Sequence, residues 1–189
     1  MRHASTIGVV LCLGLTATAS AQKKADPPPA PSAANAAKIA SARSAAPAAI
    51  SANATIAEMS PDGKMTTLAK GTNGWLCMPD NPTSPGADPM CVDKVWQQWF
   101  EGYQAHKAPK ITQVGIAYML AGGSDASNTD PFATKPAAGK DWIATPPHTM
   151  VVMPDTKQLD SYSTTPSEST PYVMWKGTPY AHLMVPVKP

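Results

Sequence analysis

VDKVWQQWFEGY, residues 92–103, is the stretch whose reading decides the fold. Val92, Val95, Trp96, Trp99, Phe100 and Tyr103 recur at three- and four-residue spacing, which places them on one stripe of an α-helix. Asp93, Lys94, Gln97, Gln98 and Glu101 turn the other way. Asp93 near the start and Lys107 just past the end complement the helix dipole. An aromatic stripe of this kind serves either as a ligand platform or as a packing face. The packing face is the plainer reading, and it requires a sheet beneath the helix.

The flanking sequence supplies that sheet. Val114 to Leu120 is apolar on both faces and reads as a central strand. His148 to Met153 and Tyr180 to Val187 read as further strands, with a helical turn over Asp155 to Leu159 and a short strand over Tyr172 to Trp175. Lys176 to Pro179 then turns the last hairpin. Upstream, Ala54 to Met59 and Met65 to Lys70 flank Ser60-Pro61-Asp62-Gly63, whose proline presets one dihedral and whose glycine accepts positive φ. Asn73-Gly74, a hairpin signal, leads into Trp75 to Met78. The expectation is a three-stranded meander ending at Cys77. Gly122 to Asp141 is a long Gly-, Ser-, Asn-, Asp- and Pro-rich loop, of a length that is often functional. The fold class is therefore α+β: an antiparallel sheet packed against one main amphipathic helix, with an alanine-rich N-terminal segment.

The N-terminus reads as a secretory leader. Arg2 and His3 precede an uncharged apolar run, Ile7 to Leu15, and small residues follow through Ala19-Ser20-Ala21. That pattern predicts a signal peptide over residues 1–21, cleaved between Ala21 and Gln22. The run is about half of the roughly 20 residues a membrane span needs, and no later segment is long and apolar enough, so no span is expected after cleavage. Leu11 before Cys12 is a poor match to a lipoprotein signal. Residues 22–47 read as a tether, with Pro27, Pro28, Pro29 and Pro31 favouring extended geometry, followed by an alanine-rich helix over Ala33 to Ala46 that has little to bury and is expected to be loose or only partly docked. Residues 48–189 are one globular domain. The expected location is periplasmic or secreted.

The whole chain has fifteen basic and thirteen acidic side chains, and cleavage removes only Arg2. That balance gives no concentrated basic face for nucleic acid and no polybasic patch for anionic lipid. Two of the three cysteines remain, Cys77 and Cys91. In an oxidising compartment such a pair bridges.

Four blocks carry a resemblance: Gly71 to Asp80 (GTNGWLCMPD), Asp88 to Cys91 (DPMC), Ser127 to Pro131 (SNTDP) and Tyr172 to His182 (YVMWKGTPYAH). They resemble an uncharacterised family of exported bacterial proteins, over most of the chain from about Ala45. The resemblance implies a single exported domain of bacterial origin, with no activity, cofactor or catalytic residue attached.

Three arrangements invite chemistry. His148 and His182 each lie in an apolar strand and each is followed two residues later by methionine, Met150 and Met184. Positions i and i+2 share a face of a strand, so pairing of the two strands brings imidazoles and thioethers to one surface. Thioether and imidazole together suit copper(I). Methionine is also an ordinary core filler, and the chain has ten. Ser124 to Asp130 is dense in oxygen ligands but lacks the acidic spacing and central glycine of an EF-hand, so turn formation is the plainer role. Gly122-Gly123-Ser124-Asp125-Ala126 misses the nucleophile elbow at its last position, although His148 with Asp125 or Asp141 completes a triad on paper. His106, at the end of the main helix, is expected to face water. The function expected is a non-catalytic binding or envelope-associated domain with an unknown ligand. The alternatives are a copper-binding protein using the His-x-Met pairs and an extracytoplasmic enzyme of unrecognised type.

Overall fold

Val92, expected on the apolar stripe of the main helix, ends a strand instead, and the helix starts from Asp93. Its carboxylate accepts from Trp96 N at 2.8 Å and, through its second oxygen, from Ile116 N at 2.7 Å, so one side chain caps α3 (Lys94–Gln104) and ties it to the sheet. In this computed structural model, which describes residues 1 and 32–187, Trp96 and Trp99 of α3 are buried against an eight-stranded sheet. The leader, its Ala21/Gln22 cleavage point and the proline-rich part of the tether lie outside the described residues. Among the described residues no helix is long and apolar enough to cross a membrane.

The strands are β1 (Thr55–Met59), β2 (Met65–Ala69), β3 (Leu76–Met78), β4 (Met90–Val92), β5 (Gly115–Met119), β6 (Gly123–Asp125), β7 (Ile143–Thr145), β8 (His148–Val152), β9 (Tyr172–Met174) and β10 (His182–Pro186). The main sheet runs β2-β1-β3-β4-β5-β8-β10-β9, and β6 and β7 form a separate two-stranded ribbon. The sheet is antiparallel except at one pair. β3 lies parallel to β1, with Thr55 opposite Leu76 and Ile56 opposite Cys77, so the expected meander is not formed. The reason is a crossing at Gly71. A Cβ there would lie 2.2 Å from Ala54 C and Thr55 N. Thr72 N donates to Asn53 O, Asn73 Nδ2 donates to Ile50 O, and the chain passes over β1 to its far side.

Directly opposed residues of an antiparallel pair share a face, which assigns the two faces of the sheet. One face carries α3 and the β6–β7 ribbon. Here Met119, Met150, Met174 and Met184 are buried with Trp96, Trp99 and Tyr172, and Met78 and Met90 pack at the border. Gly115 lets the helix approach, since a Cβ on it would lie 2.9 Å from Val95 and Val152. The other face carries a 3-10 turn (Thr156–Leu159) over Val173 and Leu183, and α1 (Ala33–Ser44) over Ile56, Cys77 and Cys91.

The docking of α1 corrects the expectation of a loose helix. Ala42 and Ala45 have no exposed surface, Leu120 N donates to Ala45 O at 2.9 Å, and Lys38 pairs with Glu58. Alanine contributes little bulk but permits close approach, and the helix backbone comes within 3.6 Å of Cys91 Sγ at Ala42 O. A short second helix, α2 (Ala48–Ser51), follows Pro47. Among the described residues the compact unit accordingly takes in α1 along with the sheet. Cys77 and Cys91 sit directly opposite each other on β3 and β4 and form a disulfide beneath α1.

Candidate functional site: a methionine–histidine face

The site is built by register. On β5 and β8, Met119 is opposite His148 and Ala117 is opposite Met150. On β8 and β10, Met150 is opposite Met184 and His148 is opposite Pro186. On β10 and β9, His182 is opposite Met174 and Met184 is opposite Tyr172. Directly opposed Cβ atoms in such pairs are about 4.5–5.5 Å apart. Two imidazoles and four thioethers therefore share one buried surface under α3 and the ribbon. The register of β8 and β10 brings Met150 and Met184 directly opposite each other. The two histidines enter the face four residue steps apart along neighbouring strands, about 13 Å.

His148 is 1% exposed. Its Nδ1–H donates to Pro146 O at 2.7 Å, which fixes the tautomer and leaves the lone pair on Nε2. That Nε2 is buried and has no hydrogen-bond partner among the described residues. Burial lowers the imidazole pKa, against the pull of the Pro146 carbonyl, so the ring is neutral at neutral pH. Gly123 of β6 covers the ring: a Cβ there would lie 2.9 Å from Met119 Cε, 3.0 Å from Thr145 Oγ1 and 3.6 Å from His148 Cε1. Thr145 Oγ1 is likewise buried without a partner.

His182 has a different wall. Its Nδ1–H donates to Tyr180 O at 3.0 Å. Trp96, Trp99 and Trp175 surround the ring edge-to-face at centroid distances of 5.4, 6.0 and 5.0 Å. Burial pushes this imidazole down to about 4, the Tyr180 carbonyl opposes the shift, and the neighbouring His148 charge adds to it.

The hydrolase constellation is not assembled. Ser124 Oγ is buried without a hydrogen-bond partner, no imidazole reaches it, and Asp141 is exposed on the loop. Asp125 is a separate, half-buried carboxyl, raised to about 6 by desolvation and then by Asp88. The oxygen-rich loop holds itself: Ser127 Oγ accepts from Thr129 N and Asp130 N, and Asp130 Oδ1 accepts from Phe132 N. Asn128 Nδ2 donates to Thr164 O, and Trp175 Nε1 donates to Ser127 O. Among the described residues no three His, Cys, Asp or Glu side chains converge as a metal site. His106 is exposed and stacks on Phe132 at 4.1 Å. Two surface clefts, of about 350 Å³ beside Lys157 and Lys176 and about 310 Å³ beside Trp75 and Lys94, lie away from the methionine–histidine face.

Sequence reasoning missed Met119 and Met174. Neither lies in a His-x-Met string, and only cross-strand register brings them to the imidazoles. No family model matches the chain, no similar curated protein was found, and no solved structure matches it.

Proposed function

We propose that this chain is an exported, non-catalytic binding domain and that its ligand is copper(I), held by His148 with Met119 and Met150. The observation that carries the reading is the buried Nε2 of His148. It is a neutral nitrogen lone pair with no hydrogen-bond partner among the described residues, on a histidine that lies directly opposite one methionine and two residues from another along its own strand. Buried polar atoms ordinarily find partners, and one that does not calls for a reason. A soft cation supplies it. Thioethers are weak ligands for zinc, calcium or magnesium and good ones for copper(I), and the accompanying imidazole accepts copper readily. The Pro146 carbonyl plays the part that outer hydrogen bonds play at metal-bound histidines, orienting the ring and raising its basicity. The tryptophan and methionine packing around the face supplies a dry environment that favours the monovalent ion over the strongly hydrated divalent one.

Export fits this reading, because copper handling outside the cytoplasm meets an oxidising medium in which thiol ligands bridge and thioethers do not. The disulfide at Cys77 and Cys91 leaves no free thiol among the described residues to compete.

The test is anaerobic competition for copper(I) against a chromophoric chelator, comparing wild type with His148→Ala. The expected result is stoichiometric retention by wild type and at least a tenfold weaker affinity for the variant. Wild-type protein that yields all its copper(I) to a weak chelator would overturn the proposal.

A further inference from the structure

We infer that the same face holds two soft metal ions rather than one, the second at His182 with Met174 and Met184; this rests on the copper(I) reading above. The argument is a repeated pattern. About the central Met150–Met184 pair, each histidine occupies an equivalent place. His148 lies two residues from Met150 and directly opposite Met119; His182 lies two residues from Met184 and directly opposite Met174. Each ring donates its Nδ1–H to the carbonyl two residues before it, Pro146 O at 2.7 Å and Tyr180 O at 3.0 Å. Both are thereby held in the tautomer whose Nε2 carries the lone pair.

The two histidines enter the face four residue steps apart along neighbouring strands, about 13 Å, with the Met150–Met184 pair between them, whereas metal–nitrogen bonds are only about 2 Å. Two ions give each ring a site of one nitrogen and two sulfurs, each taking a methionine from the central pair. The two sites differ in their walls. The ribbon closes over His148 at Gly123, whereas His182 is ringed by Trp96, Trp99 and Trp175. A cation beside those indoles gains the attraction of their π faces and quenches their fluorescence. The second ion therefore reports itself optically and the first does so weakly.

Silver(I), a redox-silent soft cation, is the probe. Native mass spectrometry and tryptophan emission are followed during titration of wild type, Met119→Leu and Met174→Leu. These swaps conserve volume, and near-ultraviolet circular dichroism verifies that the core remains packed. Wild type should bind two equivalents and each variant one. The equivalent lost in Met174→Leu should be the one that quenches emission. One equivalent in wild type that Met174→Leu leaves unchanged, or two equivalents that survive Met174→Leu, would overturn the second site while leaving the first standing. No binding by wild type would instead overturn the copper(I) reading itself.

Discussion

Replacing Cys77 and Cys91 together by alanine perturbs the fold at a place where the cost can be worked out. The disulfide closes a loop of 14 residues. On the chain-entropy model its absence enlarges the unfolded ensemble by about 3 kcal/mol at 25 °C. The two sulfurs are also fully buried, and Ala42 and Ala45 of α1 rest against them. Deleting that volume beneath the alanines that α1 buries leaves a gap they cannot fill, adding about 1–2 kcal/mol. The sum, about 4–5 kcal/mol, is a large part of the 5–15 kcal/mol typical of a domain. Urea denaturation of wild type and Cys77→Ala/Cys91→Ala measures the total. Hydrogen exchange locates it, and α1 amides should lose protection before those of β8 and β10. A loss below about 0.5 kcal/mol, or protection lost first in β8 rather than in α1, would refute the reasoning.

Three further outcomes are expected. Gly71→Ala should cost more than about 3 kcal/mol in a thermal or urea melt, because its Cβ would lie 2.2 Å from backbone atoms of Ala54 and Thr55 that cannot move aside; a cost under 1 kcal/mol would contradict the crossing. Asp125 has a folded pKa of about 6, above its unfolded value of about 4. The native state therefore holds the proton more tightly, and stability contributed by this group falls as pH rises from about 4 to 6, by up to about 3 kcal/mol. Urea melts at pH 4.5 and 7 should show this loss in wild type and not in Asp125→Asn, and equal pH dependences would contradict it. Intact mass analysis of protein recovered from the producing cell should begin at Gln22, and a chain retaining residue 1 would contradict export.

Much of this fold is legible in the sequence where the signals are local. The stripe from Val95 to Tyr103 gives α3 and its buried tryptophans, although Val92, expected on the same stripe, belongs to β4, and the Lys176–Pro179 turn gives the β9–β10 hairpin. The cysteine pair gives the bridge. What escapes is decided by distant approach. Asn73-Gly74 has hairpin chemistry, yet the crossing at Gly71 carries β3 to the far side of β1. Alanines 42 and 45 carry no hydrophobic bulk, so nothing in the periodicity announces that α1 docks; its hold comes from close backbone approach. Gly123-Ser124-Asp125 has no strand propensity and becomes a strand only because β7 pairs with it over the methionine face. The His-x-Met strings place four of the donors on one surface, but Met119 and Met174 join them through register, which a single sequence does not specify.

The most direct measurement of the central claim is X-ray absorption at the copper edge of anaerobically loaded, desalted protein. The account predicts a monovalent edge and a first shell of sulfur with a minority of imidazole nitrogen, the nitrogen contribution diminishing in His148→Ala. A shell of nitrogen and oxygen without sulfur, or no copper remaining after desalting, would contradict it.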